Sequence, residues 1–261
     1  MDKLTLHTNN RIMRITLILL LSFFIILFVS AQKFATPQRA PMDVFVFVDK
    51  SKSVDFRDST VRQRAENAVR ALLAQCTQTG DRIGLYYLHG NTAGARAEHS
   101  LVIPALVYPA RANSIERNHA QQTYYRNLSL LRGAFVKALR TQLLEPNATP
   151  TANATDILGT LEVVSSVSAP GRQLHVLLLT DGVQAANGFG ANPRSQQEAV
   201  ARAAADVRRL PAQYRLNSRL LQAGDVRMVM PFTAIGSKHN RFLDRYWAEV
   251  FEGVGMRLVV E

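Results

Sequence analysis

Five oxygen-bearing side chains in three short segments could do chemistry together. The first segment is Asp49-Lys-Ser51-Lys-Ser53, the second Asn153-Ala-Thr155-Asp156, and the third Thr180-Asp181-Gly182. In the first, an oxygen recurs at every second residue, so an extended turn would aim all three the same way. In the third, Gly182 permits a tight exit from the preceding apolar run. Together Asp49, Ser51, Ser53, Thr155 and Asp181 offer oxygen donors alone, with hydroxyls outnumbering carboxylates. Hard cations prefer such a set. Mg2+ takes six oxygens and keeps several waters, which suits a site with few protein charges; Ca2+ recruits more carboxylates, and Mn2+ is a further alternative. Two carboxylates barely neutralise a dication, so its open face would accept a carboxylate from a partner protein.

Other chemistries fit less well. An Asp-x-Ser-x-Ser run on its own is usually a turn or a helix cap. An aspartyl nucleophile of the phosphatase type needs a second Asp two residues on, where Ser51 stands. The chain has no Gly-x-Ser-x-Gly elbow for a hydrolase serine. Gly188-Phe-Gly190 lacks the third glycine of a dinucleotide fingerprint and reads as a flexible loop. The three segments supply no spare His or Glu as a general base, which favours binding over catalysis. A metal-dependent enzyme and a scaffold with a vestigial site remain the alternatives.

The elements that must position these residues are legible as alternation. Apolar runs at Asp43–Val48, Arg82–Leu88, Leu101–Tyr108, Leu174–Leu179, Val226–Ile235 and Met256–Val260 read as strands. Pro104 assigns the third of them to a sheet edge. Helical spacing runs over Ser59–Cys76, Tyr124–Leu144, Thr155–Val167, Ser195–Leu210 and His239–Phe251, with 109–123 and 145–153 as polar surface loops. Strands alternating with helices predict an α/β, doubly wound, mostly parallel sheet with helices on both faces. Ligands of such sheets bind at the carboxyl ends of the strands, where strand order reverses, and each oxygen-bearing segment falls at such an end.

Asp49-x-Ser51-x-Ser53, Thr155-Asp-Ile-x-x-x-Leu161 and Thr180-Asp181-Gly182, in that order, resemble the metal-ion-dependent adhesion site of von Willebrand factor A-like domains. The resemblance covers roughly Asp43 to Glu261. It implies one antiparallel edge strand in the central sheet. It also implies a metal held directly by Ser51, Ser53 and Thr155 and partly through water by Asp49 and Asp181, with a partner's Glu or Asp completing the shell. Lys50 and Lys52 depart from the usual pattern; alternation along an extended segment would point both to solvent.

The bulk properties set the context. The 261 residues are 47% apolar, with a formal charge of +11 and an isoelectric point near 10.3. That surplus biases the surface toward acidic partners, anionic lipid or nucleic acid without choosing among them. One cysteine, Cys76, excludes an internal disulfide and reads as a buried structural thiol. Arg11 and Arg14 precede an uncharged run from Ile15 to Gln32, a membrane-targeting pattern ending in Val29-Ser-Ala31. Residues 1–31 are therefore expected to be a signal peptide or a transmembrane anchor, 32–41 a linker, and 42–261 the metal-binding domain. The basic flank favours an exported or anchored domain on the extracytoplasmic side, where nucleic acid is not an expected partner. The arginines of 194–219 read as a solvated face rather than as a docking surface.

Overall fold

The computed structural model describes residues 39–54, 56–145, 154–189, 192–222, 224–229 and 240–260. The membrane-targeting run and most of the linker lie outside the described residues. So does the part of the fifth expected strand beyond Val229. Among the described residues no helix is long and apolar enough to cross a membrane.

Six strands form one sheet in the order β3-β2-β1-β4-β5-β6. They are β1 (Met42–Asp49), β2 (Arg82–Leu88), β3 (His99–Val102), β4 (Gln173–Leu179), β5 (Asp225–Val229) and β6 (Arg257–Val260). All neighbours pair in parallel except β2 and β3, which run antiparallel with Ile83 opposite Leu101. The α/β, mostly parallel sheet with one antiparallel edge is thus the observed fold. Strand order reverses at β1, between β2 and β4.

β1 shows why the sheet is buried on both faces. Its residues alternate, as a pleat requires. Val44, Val46 and Val48 join Leu177, Leu179 and Ile83 beneath α1 (Ser59–Gln75) and α2 (Ser114–Leu144). Phe45 and Phe47 join Val176, Leu178 and Tyr86 beneath α3 (Gly159–Val167), α4 (Gln196–Gln213) and α6 (Leu243–Gly253). A short helix, α5 (Ser218–Leu221), closes that layer. Trp247 and Tyr246 of α6 are wholly buried, and apolar side chains of this size contribute roughly 1.5–3 kcal/mol each when removed from water.

Three sequence expectations change. The expected strand over Leu101–Tyr108 is only His99–Val102, because Pro104 cannot donate to a ladder and the chain leaves the sheet at Ile103. Helix α2 begins ten residues before the expected Tyr124. Asn113 caps it, accepting from Glu116 N at 3.0 Å while the Glu116 carboxylate accepts from Asn113 N at 2.9 Å, a capping box inside a polar stretch. Helix α3 begins at Gly159, so Thr155 and Asp156 stand in the loop ahead of it.

Candidate functional site

The carboxyl ends of β1 and β4 meet at the reversal of strand order, and the first link between them is a buried carboxylate. Asp49 is fully buried as the last residue of β1. Its Oδ2 accepts from Thr180 Oγ1 at 2.6 Å, just beyond β4, and its Oδ1 accepts from Ser51 N at 2.8 Å. The second bond turns the chain on itself, and Val54 N closes the turn on Ser51 O at 3.3 Å. The segment 51–53 is therefore a turn, not the extended run that alternation suggested. The carboxylate captures the amide two residues on, which Asp favours wherever the backbone is unpaired.

The turn still converges its hydroxyls. Ser51 Oγ and Ser53 Oγ lie 2.9 Å apart, with Ser51 buried and Ser53 exposed. Neighbouring ligands about 2.1 Å from an octahedral ion stand about 3 Å apart, so the pair fits two cis positions around Mg2+. Asp49, with both oxygens engaged, supports the turn that carries these hydroxyls.

Lys50 does not point to solvent. Its ammonium donates to the carbonyls of Gln142 and Glu145 at the carboxyl end of α2 and lies 5.4 Å from the Tyr87 ring centroid. Burial lowers its pKa, and the Glu145 charge pulls the other way. Lys52 is exposed, as expected.

The second segment is anchored from three sides. Asp156 N donates to His89 O at 3.0 Å, beyond the end of β2, and Ala185 N donates to Thr155 O at 2.9 Å, beyond β4. Thr155 is buried in this position. The Asp156 side chain, also buried, accepts from Tyr214 Oη at 2.6 Å, Gly159 N at 3.0 Å and Asn187 Nδ2 at 3.1 Å. Burial still raises its pKa despite these donors. Gln184 Oε1 accepts from Ile157 N at 2.7 Å. The loop that carries Thr155 is thus built by Asp156, Gln184, Asn187 and Tyr214, whose partnership no local sequence pattern marks. The only signal was their type, since buried polar groups must find one another.

Asp181, half-buried, accepts from Val183 N through Oδ1 at 3.0 Å. Gly182 takes φ +78, a left-handed conformation that suits glycine, and its carbonyl accepts from Trp247 Nε1 at 2.9 Å. Burial pushes the Asp49 carboxyl up to about 6; bonds from Thr180 and Ser51 oppose the rise, and the Asp181 charge adds to it. The two carboxylates therefore feel each other across the edge.

Phe189 differs from expectation, and His89 adds a residue to the edge. Phe189, in the glycine-flanked loop, is not a mobile tip: it is buried and stacked on Tyr214 at 6.1 Å, with the Arg209 guanidinium 4.5 Å from its ring centroid. His89 belongs to a fourth loop at the same edge. Its Nδ1 accepts from Asn91 N at 3.1 Å, which leaves the proton of the neutral ring on Nε2. Burial lowers its pKa, which favours the neutral ring.

No protein-family model and no curated protein sequence matches this chain. Solved structures show a distant likeness. Proximal thread matrix protein 1 of the mussel byssus is 14% identical with a TM-score of 0.36, over 85% of this chain and 43% of that one. A von Willebrand factor type A structure from Catenulispora acidiphila is 15% identical with a TM-score of 0.40, over 85% and 39%. The manganese-loaded TRAP protein of Plasmodium vivax is 16% identical with a TM-score of 0.32, over 78% and 62%. This chain spans less than half the length of the first two. The strand order and pairing, and not these likenesses, define the fold here.

Proposed function

We propose that the chain is an exported or membrane-anchored module of the von Willebrand factor A type that binds a partner protein through a divalent cation, Mg2+ before Mn2+ or Ca2+. The observation that carries this reading is the Ser51–Ser53 hydroxyl pair, 2.9 Å apart on a turn fixed by buried Asp49 at the reversal of strand order. Ser51, Ser53 and Thr155 would hold the cation directly, with Asp49 and Asp181 supplying the negative charge around it. When bound, the cation supplies a Lewis-acidic face for a carboxylate. The protein's own part is to hold the hydroxyls in place, keep Asp49 dry behind them, and present the partner's Asp or Glu with an edge rich in hydroxyls.

The test is titration calorimetry with Mg2+. The intact protein should give a binding isotherm, and Asp181→Ala should abolish it while circular dichroism stays unchanged, since one of two anionic groups is lost from a loop. Retained affinity in a folded Asp181→Ala protein would move the cation elsewhere. A partner captured by the intact protein should be released by EDTA, and a partner retained in EDTA would exclude a metal bridge.

A further inference from the structure

Lys50 joins the candidate cation site to the end of a helix. Its amide donates to Leu88 O at 3.4 Å, which holds it against the end of β2. Asp49 before it is fully buried, and Ser51 after it carries the first hydroxyl of the site. The side chain leaves the turn beside the Tyr87 ring, 5.4 Å from the centroid, and its ammonium donates to Gln142 O and Glu145 O. Glu145 is the residue that ends α2, and the carbonyls of a last helical turn have no donors within the helix. Thr180 thus secures the turn from the side of β4, through Asp49, and Lys50 secures it from the side of β2.

The end of α2 is itself fixed in the core. Leu139 and Leu143 are buried in the same layer as Val46 and Val48 of β1, and Glu145 N donates to Thr141 O at 3.0 Å. From Glu145 the chain reaches Thr155, the third hydroxyl of the site, ten residues on. The ammonium therefore ties the turn that bears Ser51 and Ser53 to the helix from which the Thr155 segment departs. Charge alone argues against a lysine here, because a cation held by the two serines would be repelled by it. Position argues for it.

We propose that Lys50 is a positioning residue that couples cation binding to the docking of α2. With the helix end held by the ammonium, the Ser51 and Ser53 hydroxyls keep the 2.9 Å spacing that suits neighbouring ligands of one ion. A bound cation fixes the same turn and so holds the end of α2 in return. Such coupling is reciprocal: the factor that a docked helix adds to Mg2+ affinity is the factor that Mg2+ adds to docking. The inference rests on the cation reading above and adds to it a helix whose end senses whether the site is filled.

The test uses two effects of opposite sign. Lys50→Met removes the ammonium and keeps an unbranched chain. A lysine that acted only as a charge would, once removed, leave Mg2+ bound more tightly. Coupling requires the reverse: Lys50→Met should weaken Mg2+ about fivefold or more in titration calorimetry. Lys52→Met, which removes the exposed neighbouring charge, should bind Mg2+ equally or more tightly. Hydrogen exchange read by mass spectrometry supplies the reciprocal arm and needs no variant. Saturating Mg2+ should slow exchange at Leu143, Leu144 and Glu145 of the intact protein about fivefold or more, and the same ion should leave these amides unchanged in Lys50→Met. An intact protein without a Mg2+ isotherm would overturn the cation reading and the coupling together. A normal isotherm, with exchange at the end of α2 indifferent to Mg2+ or with a folded Lys50→Met protein that binds Mg2+ as well as the intact one, would overturn the coupling alone and leave Lys50 as a cap on the helix.

Discussion

Thr180 holds a position that its neighbour Asp181 obscures. Its hydroxyl is the donor that keeps a fully buried Asp49 satisfied across two strand ends. Replacement by valine keeps the shape and removes the donor, so Asp49 is left with an uncompensated oxygen. Thr180→Val should cost about 1–3 kcal/mol, read as a lower urea midpoint with an unchanged slope. An unchanged midpoint would show that water or a cation replaces the hydroxyl at no cost. At the same scale, Asp49, Ser51, Ser53 and Asp181 were legible as oxygen donors after apolar runs, and Thr155 as one that opens a segment of helical spacing. Asp156, Gln184 and Tyr214 were not, because their partners lie 28 and 58 residues away along the chain in the bonds to Asp156.

At the scale of elements, α2 is fastened at two points by opposite charges. Lys50 satisfies carbonyls at its carboxyl end, where a cation also complements the helix dipole. Lys50→Met should therefore lower stability by about 0.5–1.5 kcal/mol in thermal melts, whereas Lys52→Ser should leave it unchanged. Equal melts for both would mean that the contact contributes nothing net. Farther back, Arg140 of α2 donates to both oxygens of Glu66 on α1, at 2.8 and 2.7 Å. Glu66 is nearly buried, but Arg140 is more than half exposed, so solvent screens the pair. The Arg140 bonds hold the Glu66 carboxyl below its ordinary range. A depressed folded-state pKa contributes stability above the unfolded value near 4.5, lost as pH falls through the lower folded value. Glu66→Gln should cost about 1 kcal/mol at pH 7 and less below pH 4, followed by urea midpoints across that range. A cost independent of pH would assign the effect to packing.

Among the described residues, both hydrophobic layers are built from residues after Pro41, with β1 shared between them. A chain lacking residues 1–31 should therefore be soluble and folded, eluting as a single species with an unchanged far-ultraviolet spectrum. Aggregation of that truncation, with a monodisperse full chain in detergent, would show that the apolar run completes the fold. Basic charge is also spent internally: Arg82 and Arg172 both bind buried Asp43, at 2.6 and 2.5 Å, and Arg202 pairs with Glu198. Such pairs remove charges of both signs, so the surplus of +11 remains. Salt should therefore slow partner association.

The sequence by itself determined the order and kind of most elements, since buried strands and amphipathic helices announce themselves by local periods of about two and 3.6 residues. It also determined that the ends of β1 and β4 carry oxygen donors, because Asp49 and Thr180-Asp181 directly follow apolar runs. Tertiary structure decided the rest. Whether Lys50 faced solvent depended on where α2 ended, and the start of α2 depended on a capping pair within a polar stretch. Whether 51–53 was extended depended on a carboxylate held from across the sheet by Thr180. The third strand ended at Val102, ahead of Pro104, and Tyr124 of the returning helix packs back on the core. Each of these is settled by a contact distant in sequence, and the energy of such a contact is not written in the pattern of either segment alone.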